Sequence, residues 1–258
     1  MKNVINWKLF FILLIICVIT SMLVIPYSLA LTSSEIEISA ILLLLTVVQN
    51  LVLFSVATFF GLFFSKRIEM GMPILQNALE GKKQTKELKS IILPSICLGI
   101  LAGILIVLLS IPFNKLIPEL QLLEISVSVW KAFLASFYGG IAEEILLRLF
   151  LVSLLVWITF KIKKTKDGHP TNLGIWLSII IASAIFGLGH LPATAQITYL
   201  TGIVVIRAIM LNGVGGIIFG WLYWKKGLES AMIAHFSTDI VLHIITPLII
   251  SFFPQEIF

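Results

Sequence analysis

The chain has 258 residues, of which 59% are hydrophobic and only 12% charged, and its mean hydropathy is +1.09. This composition excludes a soluble domain and predicts an all-α, polytopic transmembrane helical bundle. The net charge of +5 does not indicate a nucleic-acid partner, because the lysines cluster in short loops between apolar runs. There they set topology and face lipid headgroups, so the expected partner is the lipid bilayer.

The apolar runs predict seven membrane spans, each of roughly the ~20 residues that a spanning helix requires. The first run follows Lys8 and is expected to be a retained helix, although Ser28-Leu29-Ala30 resembles a signal-peptidase site. The predicted spans cover residues 9–30, 38–64, 91–112, 129–160, 173–194, 200–224 and 228–250.

Three basic segments alternate with acidic ones along the chain. Lysines and arginines crowd residues 65–89 and 161–169 and the turn at Lys225 and Lys226. Positive loops stay on the cytoplasmic side, so we predict a multi-pass membrane protein with a cytoplasmic N-terminus. Residues 70–79 within the first basic loop either lie along the headgroup layer or form an ordinary solvated loop. The acidic residues on the opposite side are Glu35, Glu37, Glu119, Glu124 and Glu256.

Several residues within the spans are expected to have structural roles. Cys17 and Cys97 lie in predicted helices without ligand spacing, so both are expected to be small packing residues. Gly216 and Gly220 form a GxxxG pair that permits close helix packing. Arg207 is expected to extend its charge toward the headgroups rather than to mark a polar cavity.

The first candidates for chemistry are two adjacent glutamates and an arginine inside the fourth apolar run. Glu144 and Arg148 are four residues apart and can form an ion pair that neutralises both charges within the membrane. Glu143 points about 100° away on a helix and keeps no such partner. It is therefore a candidate general base, or one part of a buried polar cluster that ties helices together.

His190 ends the fifth run, at a predicted depth close to that of Glu143. Glu143 precedes Lys161 by 18 residues and His190 follows Leu173 by 17 residues. Both positions are about 26 Å from the inner end of an antiparallel helix pair at 1.5 Å per residue. A glutamate and a histidine at one depth could share a water molecule, although a single membrane histidine commonly bonds a neighbouring helix.

His235 and Asp239 lie four residues apart in the last run, so they share a helix face. His243 continues the same stripe and is expected to be structural. His235 follows Lys226 by nine residues, about 13 Å, which is half the depth expected for Glu143. Bringing them together requires either tilted helices, or a break in the glycine-rich sixth span with a deeper turn after it.

The ordered set Glu143-Glu144-x-x-x-Arg148, Phe186-x-x-x-His190 and His235-x-x-x-Asp239 resembles the CAAX-protease and bacteriocin-processing (Abi) family of intramembrane glutamic endopeptidases. The resemblance divides the chain into residues 1–128, three helices with a basic loop, and residues 129–250, the protease core. The first three spans carry no part of the motifs.

The resemblance implies hydrolysis of a membrane-associated peptide or protein, and it implies that the protein lies in the cell membrane. Glu143 would activate water with help from His190, while His235 and Asp239 would stabilise the oxyanion. Glu144, Arg148 and Phe186 would hold the shape of the site. Asparagine is common at the position of Asp239, and an ionised aspartate only accepts hydrogen bonds, so Asp239 must be protonated or must orient His235.

Three other interpretations are compatible with the same residues: a metal site, a membrane adaptor and a transporter. Glu143, His190 and His235 include the ligand types of a zinc site, but the expectation is no metal or other cofactor, because the HExxH spacing is missing and the family is metal-free. A non-catalytic membrane adaptor would keep the polar motif as architecture. A transporter would use it as a proton path, but the inverted repeats of such proteins are not apparent.

Overall fold

The computed structural model describes residues 5–31, 39–117, 120 and 127–252. Within these ranges, seven helices are long and apolar enough to cross a membrane, which confirms the predicted polytopic all-α bundle. The helices are α1 (Trp7–Leu31, interrupted at Val24), α2 (Ala40–Arg67), the short α3 (Pro73–Leu79), α4 (Thr85–Leu116), α5 (Val129–Ile162), α6 (Asn172–Thr194), α7 (Gly202–Lys226) and α8 (Leu228–Ser251).

Polar residues mark the helix ends. The side chains of Asn6, Ser39 and Thr171 accept hydrogen bonds of 3.2, 3.2 and 3.1 Å from backbone N–H groups in the first turns of α1, α2 and α6. These bonds satisfy donors that a helix leaves without partners. Gly227 ends α7 with a φ of 95°, a conformation that favours glycine. The chain therefore passes from α7 directly into α8.

Small residues allow α6 and α7 to pack closely. A Cβ atom on Gly216 would lie 2.5 Å from Oγ of Ser183, and one on Gly220 would lie 2.7 Å from Cγ2 of Ile179. The predicted packing role of this glycine pair is therefore confirmed. Of the two alternatives for bringing His235 to the depth of Glu143, a break in the sixth span is excluded, because α7 is one continuous helix of 25 residues.

Helix α4 packs just as closely against α8. A Cβ atom on Gly99 would clash with the carbonyl oxygen of Ala234, and one on Gly103 would lie 2.7 Å from Cβ of Val241. The hydroxyl of Thr238 donates a 2.8 Å hydrogen bond to the carbonyl of Gly99. The third span thus supports the helix that carries His235 and Asp239, although no motif in its sequence indicates this role.

The basic segments meet at one end of the bundle. Glu69 pairs with His169 at 3.4 Å, and the N–H of Leu228 donates a 2.8 Å hydrogen bond to the carbonyl of Gly71. Glu229 accepts a 2.8 Å bond from the N–H of Leu75 in α3. The segment 70–79 is therefore docked on the start of α8 and is not simply a solvated loop. The acidic residues Glu35, Glu37, Glu119, Glu124 and Glu256 lie outside the described residues.

The two cysteines differ in environment. Cys17 is fully buried in α1, as expected for a packing residue. Cys97 is exposed on α4, so its predicted packing role is wrong. The close contact of α4 with α8 uses the face that bears Gly99 and Gly103, and Cys97 lies away from it.

Substituting Gly99 with alanine tests the contact between α4 and α8. We expect Gly99→Ala to lower the free energy of unfolding by about 1–3 kcal/mol, because the new methyl group overpacks a backbone contact. Gly213→Ala is the control, since no atom lies within 4 Å of a Cβ there, and alanine in a helix gains up to about 1 kcal/mol over glycine. Thermal unfolding in detergent compares them, and equal midpoints would contradict the packing argument.

Candidate active site

The two glutamates lie on a π-helical part of α5. Residues Tyr138–Glu143 and Ile145–Val152 form wide turns, and the N–H of Ser153 bonds to the carbonyl of Arg148 five residues earlier. Such turns are rare and frequently occur at functional sites. The sequence pattern predicts an ordinary α-helix here, because the wider turn depends on the packing of α5 against its neighbours.

Glu144 and Arg148 form a buried ion pair at the centre of the bundle. Oε1 of Glu144 lies 2.6 Å from Nη1 of Arg148, and the two side chains are 0% and 2% exposed. The same oxygen lies 2.7 Å from Nδ1 of His235. Nη2 of Arg148 reaches the carbonyl of Gly216 at 3.5 Å. The predicted pair is confirmed, and it connects α5 with α7 and α8.

Two phenylalanines enclose these charges. The ring of Phe219 stacks on His235 at a centroid distance of 4.6 Å and an angle of 23°. Phe186 meets His235 edge to face at 5.8 Å. The guanidinium carbon of Arg148 lies 5.2 Å from the centroid of each phenylalanine ring. Phe219 was not predicted as a site residue, because nothing in the sequence distinguishes a phenylalanine at a site from any other phenylalanine in an apolar span.

The other acids face the remaining nitrogen of the imidazole. Nε2 of His235 lies 3.8 Å from Oε2 of Glu143 and 3.6 Å from Oδ1 of Asp239. Both distances are longer than a direct hydrogen bond. The side chain of Glu143 is 22% exposed, whereas that of Glu144 is fully buried. Glu143 is thus the accessible glutamate of the pair.

Gly139 makes room for Asp239. A Cβ atom at this position would clash with Oδ2 of Asp239 and lie 3.3 Å from Nε2 of His235. Gly140 lies as close to α8, where a Cβ atom would be 2.9 Å from Cβ of Phe236. Sequence analysis missed both glycines. The available signal was their position, one turn before the two glutamates in the same helix.

His190 lies one ring away from the other groups. Its Nδ1 is 2.9 Å from the carbonyl oxygen of Phe186, and its ring packs edge to face on that of Phe186 at 4.7 Å. Phe186 in turn contacts His235. His190 therefore borders the cluster through Phe186. The hydrogen bond of its Nδ1 goes to the carbonyl of Phe186 rather than to Glu143.

The helix ends explain how Glu143 and His235 reach the same depth. Ser153 lies nine residues before the end of α5, yet its hydroxyl is 2.6 Å from the hydroxyl of Tyr223, three residues before the end of α7. The end of α5 thus extends beyond the end of α7. Counting residues back from Lys161 therefore overestimates the difference in depth between Glu143 and His235. The side chains of Glu143 and His235 meet without a break in α7.

The remaining stripe residue, His243, bonds outside the cluster. Its Nδ1 lies 3.1 Å from the hydroxyl of Tyr27 in α1, which agrees with the structural role expected for it. Over the described part of the chain, no group of three or more histidine, cysteine, aspartate or glutamate side chains has the arrangement of a metal site.

These features define a class of protein: a multi-pass helical membrane protein that gathers three carboxyl groups, an arginine and a histidine between its helices. Residues 125–241 match the family model described as type II CAAX prenyl endopeptidase Rce1-like. The match covers less than half of the chain, and it confirms the resemblance of this region to the CAAX protease family. No curated protein and no solved structure gives a significant match.

Breaking the buried pair from one side tests how it holds the site. We expect Arg148→Met to destabilise the fold by about 3–5 kcal/mol, because it leaves the carboxylate of Glu144 buried without its cation. The double variant Glu144→Gln/Arg148→Met removes both charges and should recover much of this loss. Unfolding midpoints in detergent measure the effect, and simple additivity of the two single variants would contradict it.

Proposed function

We propose that this protein is an intramembrane endopeptidase in which Glu143 activates the water that attacks a peptide bond. The observation that carries the proposal is the different placement of the two glutamates. Glu144 is buried and its Oε1 is bonded to Arg148 and His235. Glu143 is partly exposed and lies 3.8 Å from His235. A general base needs this combination of access and proximity.

Hydrogen-bond chemistry assigns the proton positions on both histidines. A carbonyl oxygen only accepts, so Nδ1 of His190 donates to Phe186 and leaves the Nε2 lone pair to accept from water. Oε1 of Glu144 already accepts from Arg148, so Nδ1 of His235 also donates. Nε2 of His235 is then the nitrogen that faces Glu143 and Asp239.

Charge balance supports a protonated group at this nitrogen. Three carboxyl groups and one guanidinium lie around His235 in a cluster with little exposure. Buried charges are costly unless paired, so two additional protons would make the cluster neutral. We place one on Nε2 of His235 and one on Asp239. Asp239 can then donate a hydrogen bond, which resolves the difficulty raised by an ionised aspartate at this position.

The proposed reaction uses each of these groups. Glu143, assisted by His190, takes a proton as water oxygen bonds to the carbonyl carbon of the substrate. The negative charge that develops on the carbonyl oxygen is stabilised by N–H of His235 and O–H of Asp239. The carbon–nitrogen bond then breaks as Glu143 returns its proton to the leaving nitrogen. The products are a carboxylic acid and an amine.

We further propose that the substrate is a membrane-associated peptide or protein, because the site lies among helices long enough to span a bilayer. The basic segments at one end of the bundle favour a cytoplasmic N-terminus, and the family resemblance favours the cell membrane. A membrane adaptor is the alternative that the buried cluster of Glu144, Arg148 and His235 favours, since this cluster ties helices together without chemistry.

Removing the proposed base distinguishes the two functions. We expect Glu143→Gln to lower kcat by at least about 10²-fold with an unchanged unfolding midpoint, because glutamine cannot accept the proton. Mass spectrometry compares the peptide termini in membranes and medium between cells that express the wild-type protein and cells that express the variant. Termini present only with the wild type identify the substrate and show that the variant has lost activity. The control is Glu87→Gln, an exposed glutamate outside the site. Identical termini in wild-type and Glu143→Gln cells would indicate the adaptor.

Metal removal tests the proposed metal-free chemistry. Once a substrate is known, we expect its cleavage by the purified protein to be unchanged after dialysis against a strong zinc chelator. The reason is that Glu143, His190 and His235 act by proton transfer and hydrogen bonding in the proposed reaction. Two results together would contradict this part of the proposal. Cleavage would be lost after dialysis and restored by added Zn²⁺, and the wild-type protein would retain zinc whereas His235→Ala would not.

A further inference from the structure

Helix α2 is the least covered of the seven spanning helices that the structure describes. Of its most apolar 18 residues, 11% are buried, compared with 28–44% in the other six helices. The buried residues of α2 begin at Phe54, and a Cβ atom on Gly61 would lie 2.9 Å from Cγ of Leu149 in α5. Residues 40–53 include no buried side chain. The first half of α2 is therefore not packed into the core of the bundle.

Two adjacent amide side chains interrupt the apolar sequence of this first half. Gln49 is exposed and Asn50 is half-buried, and apolar residues lie on both sides of the pair. Gln49 precedes Arg67, at the basic end of α2, by 18 residues, which is about 27 Å along the helix. The hydrocarbon core of a bilayer is about 30 Å thick. Gln49 thus lies at the depth of the lipid tails.

The amide of Gln49 needs a hydrogen-bond partner at this depth. An apolar side chain can face lipid without cost, but lipid tails cannot bond an amide, so an unpaired amide there is unfavourable. Polar side chains of membrane helices commonly bond to a neighbouring helix. Across the described ranges of the chain, no hydrogen bond joins the Gln49 side chain to another residue. A helix from outside this bundle would supply the partner.

Gln49 lies at the centre of a continuous exposed face of α2. This Gln49 face has the alternating spacing of three and four residues that is typical of a coiled-coil seam, and it consists of Leu42, Leu45, Gln49, Val52 and Val56. Its four apolar members are 43%, 60%, 62% and 49% exposed. Asn50 points about 100° away from Gln49, toward the side of α2 that continues in the buried Phe54.

We propose that the Gln49 face binds the same face of a second copy of this chain. Two copies in one membrane share an orientation, and a two-fold axis along the membrane normal places each residue of a parallel seam opposite its own copy. A polar residue in the seam must therefore pair with itself. A carboxamide both donates and accepts hydrogen bonds, so two Gln49 side chains can bond each other, whereas two lysines or two glutamates would repel.

The proposed dimer does not rest on protease activity. Helix α2 precedes residues 125–241, the range of the family match, and the Gln49 face contains none of the residues assigned to the reaction. A single polar residue in an apolar seam also fixes the register of the two helices. Gln49 is therefore expected to determine how the copies align as well as how strongly they associate.

The oligomeric state of the full-length protein in a bilayer tests the proposal. Single-molecule photobleaching counts labelled subunits in vesicles of phosphatidylethanolamine and phosphatidylglycerol over a range of protein-to-lipid ratios. We expect a wild-type dimer and a dissociation constant about 10-fold higher in Gln49→Leu, because interhelical hydrogen bonds are lost. Gln49→Asn keeps an amide and should retain most of the association. Asn50→Leu is the matched control, since it makes a similar change on another side of α2.

Disulfide cross-linking in the same vesicles tests which face is used. The background is Cys97→Ser, because Cys97 is exposed and would itself cross-link. We expect Val52→Cys to form a covalent dimer under mild oxidation. Leu51→Cys should not, although Leu51 is 40% exposed, because it points about 100° away from Val52.

Each outcome supports or overturns the dimer. Association that is weakened in Gln49→Leu and kept in Asn50→Leu supports it. Association that Gln49→Leu leaves unchanged or strengthens overturns it, because apolar contact alone would then hold the copies together. Equal weakening in Asn50→Leu also overturns it. A wild-type protein that stays monomeric at every ratio overturns it as well, and a photo-cross-linker at position 49 then shows whether a different membrane protein or only lipid covers this face.

Discussion

The ion pair between Glu144 and Arg148 is the interaction on which the rest of the site depends. Both side chains are almost completely buried, so neither charge can be satisfied by solvent, and losing one partner would leave the other uncompensated. The pair also selects the arrangement of its neighbours. Its shared oxygen holds Nδ1 of His235, and the guanidinium reaches the carbonyl of Gly216. Three helices are thereby held at one point.

Close approach of helices makes this arrangement possible. Lipid is as apolar as leucine, so helices associate in a membrane through packing and polar contacts rather than through a hydrophobic driving force. Gly139 lets Asp239 lie against α5, and Gly99 lets α4 lie against the backbone of α8. The second contact comes from the part of the chain that precedes residues 125–241, the range of the family match. The position of α8 thus depends on helices outside that range.

The adjacent glutamates, Glu143 and Glu144, differ in burial and therefore suit different roles. Glu144 is enclosed and bonded, which suits a structural role, while Glu143 is accessible and faces the outer nitrogen of His235. In the proposed mechanism this difference lets one acid change its protonation while the other keeps the histidine in place.

The sequence alone determined the membrane class, the seven spans, the pairing of Glu144 with Arg148 and the resemblance to the CAAX protease family, because hydropathy, residue spacing and motif order can be read along the chain. It did not determine which side chains meet. The stacking of Phe219 on His235, the space at Gly139 and the exposure of Cys97 depend on helix rotation and proximity, which have no local signature. Depth counted along straight helices failed because α5 extends beyond α7. Only the tertiary structure decided these contacts, since packing between distant segments sets the relative heights and rotations of the helices.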